Sequence, residues 1–397
     1  MKAIIKTFPS ASGDCVFFQL EENAKRYVIM IDCGRYTQEI KTYVEINLEK
    51  HIDLLVATHI DNDHIDGLVE MLIQTPEVSI NKILFNCNQR WRGQVQFSDS
   101  IEQDLQTIRK NLPARPVIDN GKIRAGKAVT LAEKIVVNKA LLQAWVKEYI
   151  TTQTPSIALD EHNDRFGKIT ILSPTPERIE KLNNRFKGEY VRLTKHILDN
   201  GECVKGKETL FELVERVIDM KRKNYEFHAT QKINTSSNLL DGAHLAEAFE
   251  FIPQGVTDEN QASIAIMWEY GEKKVLFMGD AEPEDIVKRI KEVYGDKQLL
   301  LEGIKVSHHG SKHSTSHALM KMVDSGHFFF TGGNLKDKPS LEAIMKTVNR
   351  SGTKKRVLHF NNPDNINVKA LSTEQGAEVC NRFNFVIDNS NEYQFEY

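Results

Sequence analysis

Along its first sixty residues the chain alternates short apolar runs with tight polar turns, the pattern of strands. Residues 3–8 form one run. A second, 15–20, follows the Ser12-Gly13-Asp14 turn, and a third, 26–32, ends at Cys33-Gly34. A helical stretch over 36–50 leads into Leu54-Leu55-Val56-Ala57, a continuous apolar run short enough to be a strand buried on both faces. The pattern then predicts a helix over 66–74, a strand over 80–86, a helix over 98–112, short strands over 116–139 and a helix over 141–150. The strand 167–173 is stopped by Pro174. From 177 to 257 the chain is polar and mostly helical in pattern, with Leu210, Leu213, Val214, Val217 and Ile218 on one face. Strands resume at 260–266, 274–280, 301–307, 327–331, 356–360 and 385–387, with a helix over 283–294.

The run that ends at Ala57 is followed by His59, Asp61, Asp63 and His64, then Gly67. Carboxylates crowded at the end of a buried strand are costly to desolvate unless positive charge sits among them. Two imidazoles and two carboxylates suit divalent ions of intermediate hardness, such as zinc, manganese or iron. His59 and Asp61, two apart, can point one way, while Asp63 and His64, past the turn, can face a second ion. The plainer alternative is an aspartate capping the helix that follows, which accounts for neither histidine. Asp280, after Gly279 at a strand end, and the adjacent His308 and His309 are the other candidate groups. Successive side chains of a strand alternate, so one of this histidine pair is expected to bind metal, His308 by preference, with the two exchangeable. Asp32 is either a support for the metal loop or an ordinary turn residue.

These residues carry a resemblance. Thr58-His59-x-Asp61-x-Asp63-His64-x-x-Gly67 resembles the His-x-(His/Asp)-x-Asp-His signature of the metallo-β-lactamase fold, and its aspartate form is similar to the hydrolase domain of ComEC-type DNA-uptake proteins. Gly279-Asp280 resembles the Gly-Asp whose carboxylate bridges two metals in that family, and His308-His309-Gly310-Ser311 resembles its His-His-Gly-Ser block. The resemblance implies an α/β fold, an αββα sandwich formed by residues 1–176 and 258–397. It implies two divalent ions, zinc or manganese, held by His59, Asp61, Asp63, His64, Asp280 and His308. Asp63, His308 and His309 would be catalytic, working through a metal-bound hydroxide. In the family an Asn-x-x-Ser strand follows soon after the proline; here Asn260 and Ser263, candidate substrate contacts, come some 85 residues later. Residues 177–257 thus read as a helical insertion. Lysine stands at 338 where the family has a histidine, so Lys338 is a candidate phosphate contact rather than a ligand.

Composition narrows this further. A formal charge of −3 over 397 residues excludes a protein that coats nucleic acid, though not one with a local basic groove. The insertion supplies basic residues, Lys221-Arg222-Lys223 among them, as a surface for a polymer or a protein partner. Five scattered cysteines without a Cys-x-x-Cys pair fit reduced thiols and a cytoplasmic setting. No apolar run is long enough to span a bilayer, so no membrane role is expected. The expected activity is hydrolysis of a phosphodiester, DNA foremost. The alternatives are a small ester, thioester or lactone hydrolase, or an effector module of a multi-protein, defence-type system. His313 and His317 read as helix-surface histidines, and His359 as structural.

Overall fold

A computed structural model describes residues 1–11, 13–86, 131–132, 134–135, 138–160, 165–182, 240–333, 335, 337–350 and 354–397. The expected helix over 98–112, most of the strands over 116–139, the amphipathic face at 210–218 and the basic cluster 221–223 lie outside these residues.

Strands β1 (Lys2–Thr7), β2 (Val16–Glu22), β3 (Lys25–Ile31), β4 (His51–Ala57) and β5 (Ser79–Phe85) build most of one sheet. Strands β6 (Ile157–Ala158), β7 (Lys168–Ser173), β8 (Ala265–Tyr270) and β9 (Lys273–Phe277) begin a second. Beyond β10 (Leu299–Leu301), that sheet continues through β11 (Gly303–Lys305); past β12 (Val323–Ser325), it adds β13 (His327–Phe330), β14 (Arg356–Phe360) and β15 (Phe385–Asp388). The last strand, β16 (Glu392–Glu396), crosses back and pairs antiparallel with β1, giving the first sheet the order β16-β1-β2-β3-β4-β5. The second sheet runs β15-β14-β13-β11-β9-β8-β7-β6, parallel from β15 to β9 and antiparallel beyond. Strands β10 and β12 pair separately.

Period-two alternation sorts the side chains into layers. Ile5, Phe18, Leu54 and Val56 of the first sheet meet Ile171, Trp268, Val275 and Phe277 of the second in one shared core. Their neighbours Phe17, Leu55 and Ala57 turn outward against Ile40, Ile65 and Leu68. On the far side Met267, Leu276 and Phe328 pack on Ile286, Leu319 and Ile344. The result is a mixed α/β molecule, helix–sheet–sheet–helix. Both faces of β4 are covered, which is why it reads as an unbroken apolar run.

Some expected boundaries shift for local reasons. The helix after the metal loop starts earlier, at Asn62–Gln74. Residues 36–50 split into helix Gln38–Thr42 and a wider turn Tyr43–Asn47. Asn260 is not on a strand: Thr257 accepts from its amide and caps the short helix Asp258–Gln261, so pairing begins only at Ala265. Among the described residues no helix is long and apolar enough to cross a membrane.

His359 on β14 lies buried, its ring stacked at 4.5 Å on Phe329, with Nε2 3.0 Å from His327 Nδ1. Burial, opposed by Asp388, pushes its pKa down to about 4. An unfolded imidazole takes up its proton near 6.5, so between 6.5 and 4 the unfolded state binds more protons. Stability should therefore be full above pH 6.5 and fall as the pH drops through that window, by about 2 kcal/mol between pH 7 and pH 5. Urea unfolding of wild type and His359→Asn at pH 7 and pH 5 checks this. Equal losses in both proteins would remove His359 as the cause.

Candidate metal centre

At one edge of the two sheets the ends of β4, β9 and β11 converge with the turn before β2. Ile264 N, just ahead of β8, donates to Thr58 O at 2.8 Å, Asp280 N to Ser263 Oγ at 3.0 Å and His308 N to Gly279 O at 2.9 Å, so the β8 entry links the β4 loop to the β9 loop and the β9 loop holds the β11 turn. Gly13 is required here, because a Cβ on it would lie 1.7 Å from the Asp63 carbonyl oxygen.

Asp280 sits at the centre, 2% exposed. Its two oxygens face two different groups. Toward Oδ1 lies His64 Nε2 at 3.4 Å, with Asp63 Oδ2 3.9 Å from His64 Nε2 and 3.2 Å from His309 Nε2. Toward Oδ2 lie His308 Nε2 at 3.5 Å and His59 Nε2 at 3.9 Å, the latter 3.8 Å from Asp61 Oδ2. Asp61 occupies the N-cap position of helix Asn62–Gln74, but its carboxylate makes no cap hydrogen bond. The capping alternative thus explains neither aspartate nor histidine.

A second set of side chains holds the imidazoles. His64 Nδ1 pairs with Asp32 Oδ2 at 2.8 Å, and Asp32 also accepts from Thr58 N and Oγ1. Asp32 is therefore a support of the His59–His64 loop rather than a simple turn residue. His309 Nδ1 pairs with Asp14 Oδ1 at 2.9 Å, and Asp14 also accepts from Thr331 Oγ1 and Lys305 Nζ. Each carboxylate fixes one ring nitrogen and leaves the other aimed at the centre, the arrangement that orients metal-binding histidines. His59 Nδ1 lies 3.0 Å from Thr58 Oγ1 and 3.4 Å from Ser263 Oγ, and the serine hydroxyl accepts from Asp280 N. Ser263 is thus a brace, and Asn260 Nδ2 stands 3.3 Å from His308 Nδ1.

Both His308 and His309 adopt left-handed backbone, φ 50° and 57°, in the turn Ser307–Gly310. The alternation expected of a strand does not apply, since β11 ends at Lys305. The turn sends consecutive histidines to different partners, His308 to Asp280 Oδ2 and His309 to Asp14 and Asp63, at a strain of about 1–2 kcal/mol per residue.

The donor set fits divalent cations. His59 Nε2, His64 Nε2 and Asp280 Oδ1 are buried without a hydrogen-bond partner, and His59, His64 and Asp280 offer atoms within 4.8 Å of one another. Burial opposes charge on Asp280, yet His308, His64 and His309 hold its carboxyl well below the usual range. Burial likewise opposes charge on His64, but Asp280, Asp32 and Asp63 push its pKa well up, and Asp14 and Asp280 raise that of His309. His308 differs: burial takes it down to about 3. The centre as a whole attracts positive charge.

Near it opens a cleft of about 820 Å³, its charged lining Lys312, Lys338, Glu247, Asp337 and Glu342, with Ser311, His313, His244 and Phe251 beside them; His244 and Phe251 belong to the returning segment. The latter two come from helix Gly242–Glu250 and the residue after it. His313 and His317 hold this return segment, His317 Nε2 meeting Phe249 O at 2.8 Å and His313 Nδ1 accepting from Gln254 N at 3.3 Å. The two ends of the 177–257 segment meet nearby: Arg178 donates to Gln261 Oε1 at 2.6 Å and Lys181 pairs with Asp258 at 2.8 Å.

No family model matches this chain, and no curated protein matches it. Among solved structures it is similar to a mutant of CmlA beta-hydroxylase, with 8% identity and a TM-score of 0.37. The match covers 100% of this chain and 54% of that one, so the chain spans about half the length of this structural relative. Asp14 and Lys305 belong to the centre although sequence reasoning does not single them out. A lysine inside the apolar run of residues 300–306 is the available signal for one, and a glycine-aspartate at a strand entry for the other.

Proposed function

We propose that the chain is a metal-dependent phosphodiester hydrolase of the metallo-β-lactamase fold, using two divalent cations. The observation that carries this reading is Asp280, whose two oxygens each face a His-Asp-His set: His59, Asp61 and His308 on one side, His64, Asp63 and His309 on the other. The charge count agrees. Asp14, Asp32, Asp61, Asp63 and Asp280 against Lys305 leave four negative charges when the imidazoles are neutral, which two divalent cations balance. Cations held there would supply Lewis acidity and acidify a water to a pKa near about 7. Asp61 in place of a further histidine hardens its set and favours manganese or zinc with oxygen-rich substrates.

The chain's own residues divide the remaining work. Asp32 and Asp14 hold His64 and His309 in one tautomer each. His308, 22% exposed, stands at the mouth between Asp280 and the cleft. On the cleft wall Lys338 would orient a phosphate diester and Ser311 would offer a hydroxyl to it, while Lys312 is 3.9 Å from Glu342. Because the insertion returns along this cleft, its basic residues would extend the surface toward a polymer such as DNA. That contact would weaken with salt. Docking of a protein partner on residues 177–257 is the alternative use of the same segment.

The test is turnover of bis-p-nitrophenyl phosphate, p-nitrophenyl acetate and DNA by protein reconstituted with manganese or zinc. Diester hydrolysis that chelator abolishes, and that Asp63→Ala lowers at least about a thousandfold, is expected. Ester turnover without diester turnover would transfer the site to carboxylic esters.

A further inference from the structure

Lys305 is 2% exposed and sits two residues before the histidine turn, at the end of β11. Its ammonium contacts Asp14 Oδ2 and donates to the Gly279 carbonyl at 3.3 Å. An ion pair so deeply buried is a poor way to add stability, since matched apolar residues in its place are often neutral or better. Its partner is the informative part. Asp14, His64 and His309 offer atoms within 4.8 Å of one another, a spacing a single cation could bridge. Yet both Asp14 oxygens are already committed, Oδ1 to His309 Nδ1 and Thr331 Oγ1, and Oδ2 to Lys305. Asp32, the counterpart on His64, is held differently, by the amide and hydroxyl of Thr58, with no cation beside it among the hydrogen bonds it makes. Of the two supporting carboxylates, the one pinned by a lysine is the one that falls within ligand spacing.

Building on the two-cation reading above, we propose that Lys305 is a positioning residue that withholds Asp14 from the cation between His64 and His309. Asp14 then serves to orient His309, and a coordination position remains open for substrate, as catalytic centres require. Without the ammonium, Asp14 carries an unpaired buried charge and turns toward the nearest cation, closing that position.

Cobalt(II) reports coordination through its visible absorption, which weakens as ligands are added. Wild type, Lys305→Met, Lys305→Arg and the double variant Lys305→Met with Asp14→Asn are loaded with cobalt and compared. Lys305→Met should keep its cobalt but absorb more weakly, with kcat on the diester about 10- to 100-fold lower and KM little changed. Lys305→Arg should recover most of the wild-type spectrum. The double variant should also return to it, because asparagine still accepts from His309 but is a poor ligand. A Lys305→Met spectrum and kcat equal to wild type overturns the proposal, and so does a double variant that keeps the altered spectrum of the single one. If Lys305→Met does not fold, Lys305→Gln, which keeps a polar group beside Asp14 without the charge, takes its place and is read by the same two spectral criteria. Wild type that binds no cobalt would sink the metal reading itself, a distinct result.

Discussion

Replacing Asp280 with alanine is expected to reduce bound metal from two ions per chain to one or none and to lower diester turnover at least about a thousandfold. The magnitude follows from position. Asp280 is the one carboxylate that both His-Asp-His sets share, so its loss removes a ligand from each and leaves six donors with nothing to hold them at a common centre. The fold should survive, because the shared core of the sheets does not pass through this side chain. Removing a buried anion also relieves the desolvation that His64 and His308 partly offset. Metal analysis alongside circular dichroism separates the two effects. Two ions retained at wild-type turnover would dismiss Asp280 as the bridge.

Trp268→Ala is expected to lower stability by roughly 4 kcal/mol. Its ring is fully buried between the sheets, edge-on to Phe18 at 5.1 Å and to Tyr397 at 5.2 Å, while Nε1 donates to Phe166 O at 2.7 Å. Truncation opens a cavity and orphans that carbonyl at once. The melting temperature should fall by about 5 °C. Trp268→Phe, which keeps most of the volume, should lose less than half as much. A drop of a degree or two for alanine would mean that the sheets do not depend on this contact.

What can be read from the chain alone follows the range of the interactions concerned. The segment His59 to His64 is legible because four donors in six positions have no packing explanation, and β4 because an apolar run of that length fits a doubly covered strand. Asp14 and Lys305 are not, since each is intelligible only through the other, and they lie far apart in sequence. Strand alternation is the wrong frame for His308 and His309, because their left-handed turn depends on where β11 stops. Strand β16 escapes a sequence reading because its Glu-Tyr-Gln-Phe-Glu alternation is short and its exposed face polar; pairing with β1, across the whole chain, is what makes it a strand. Asn260 looks like a strand residue because its capping threonine lies upstream of the motif that contains it.

The division of the centre between early and late segments has a consequence for synthesis. A growing chain displays His59, Asp61, Asp63 and His64 long before Asp280, His308 and His309 have been made, and β16, which closes the first sheet, is nearly the last thing added. Three of the seven donors around the centre, Asp280, His308 and His309, are therefore withheld until most of the second sheet has been made, and the two halves of the centre meet only when the chain is nearly complete.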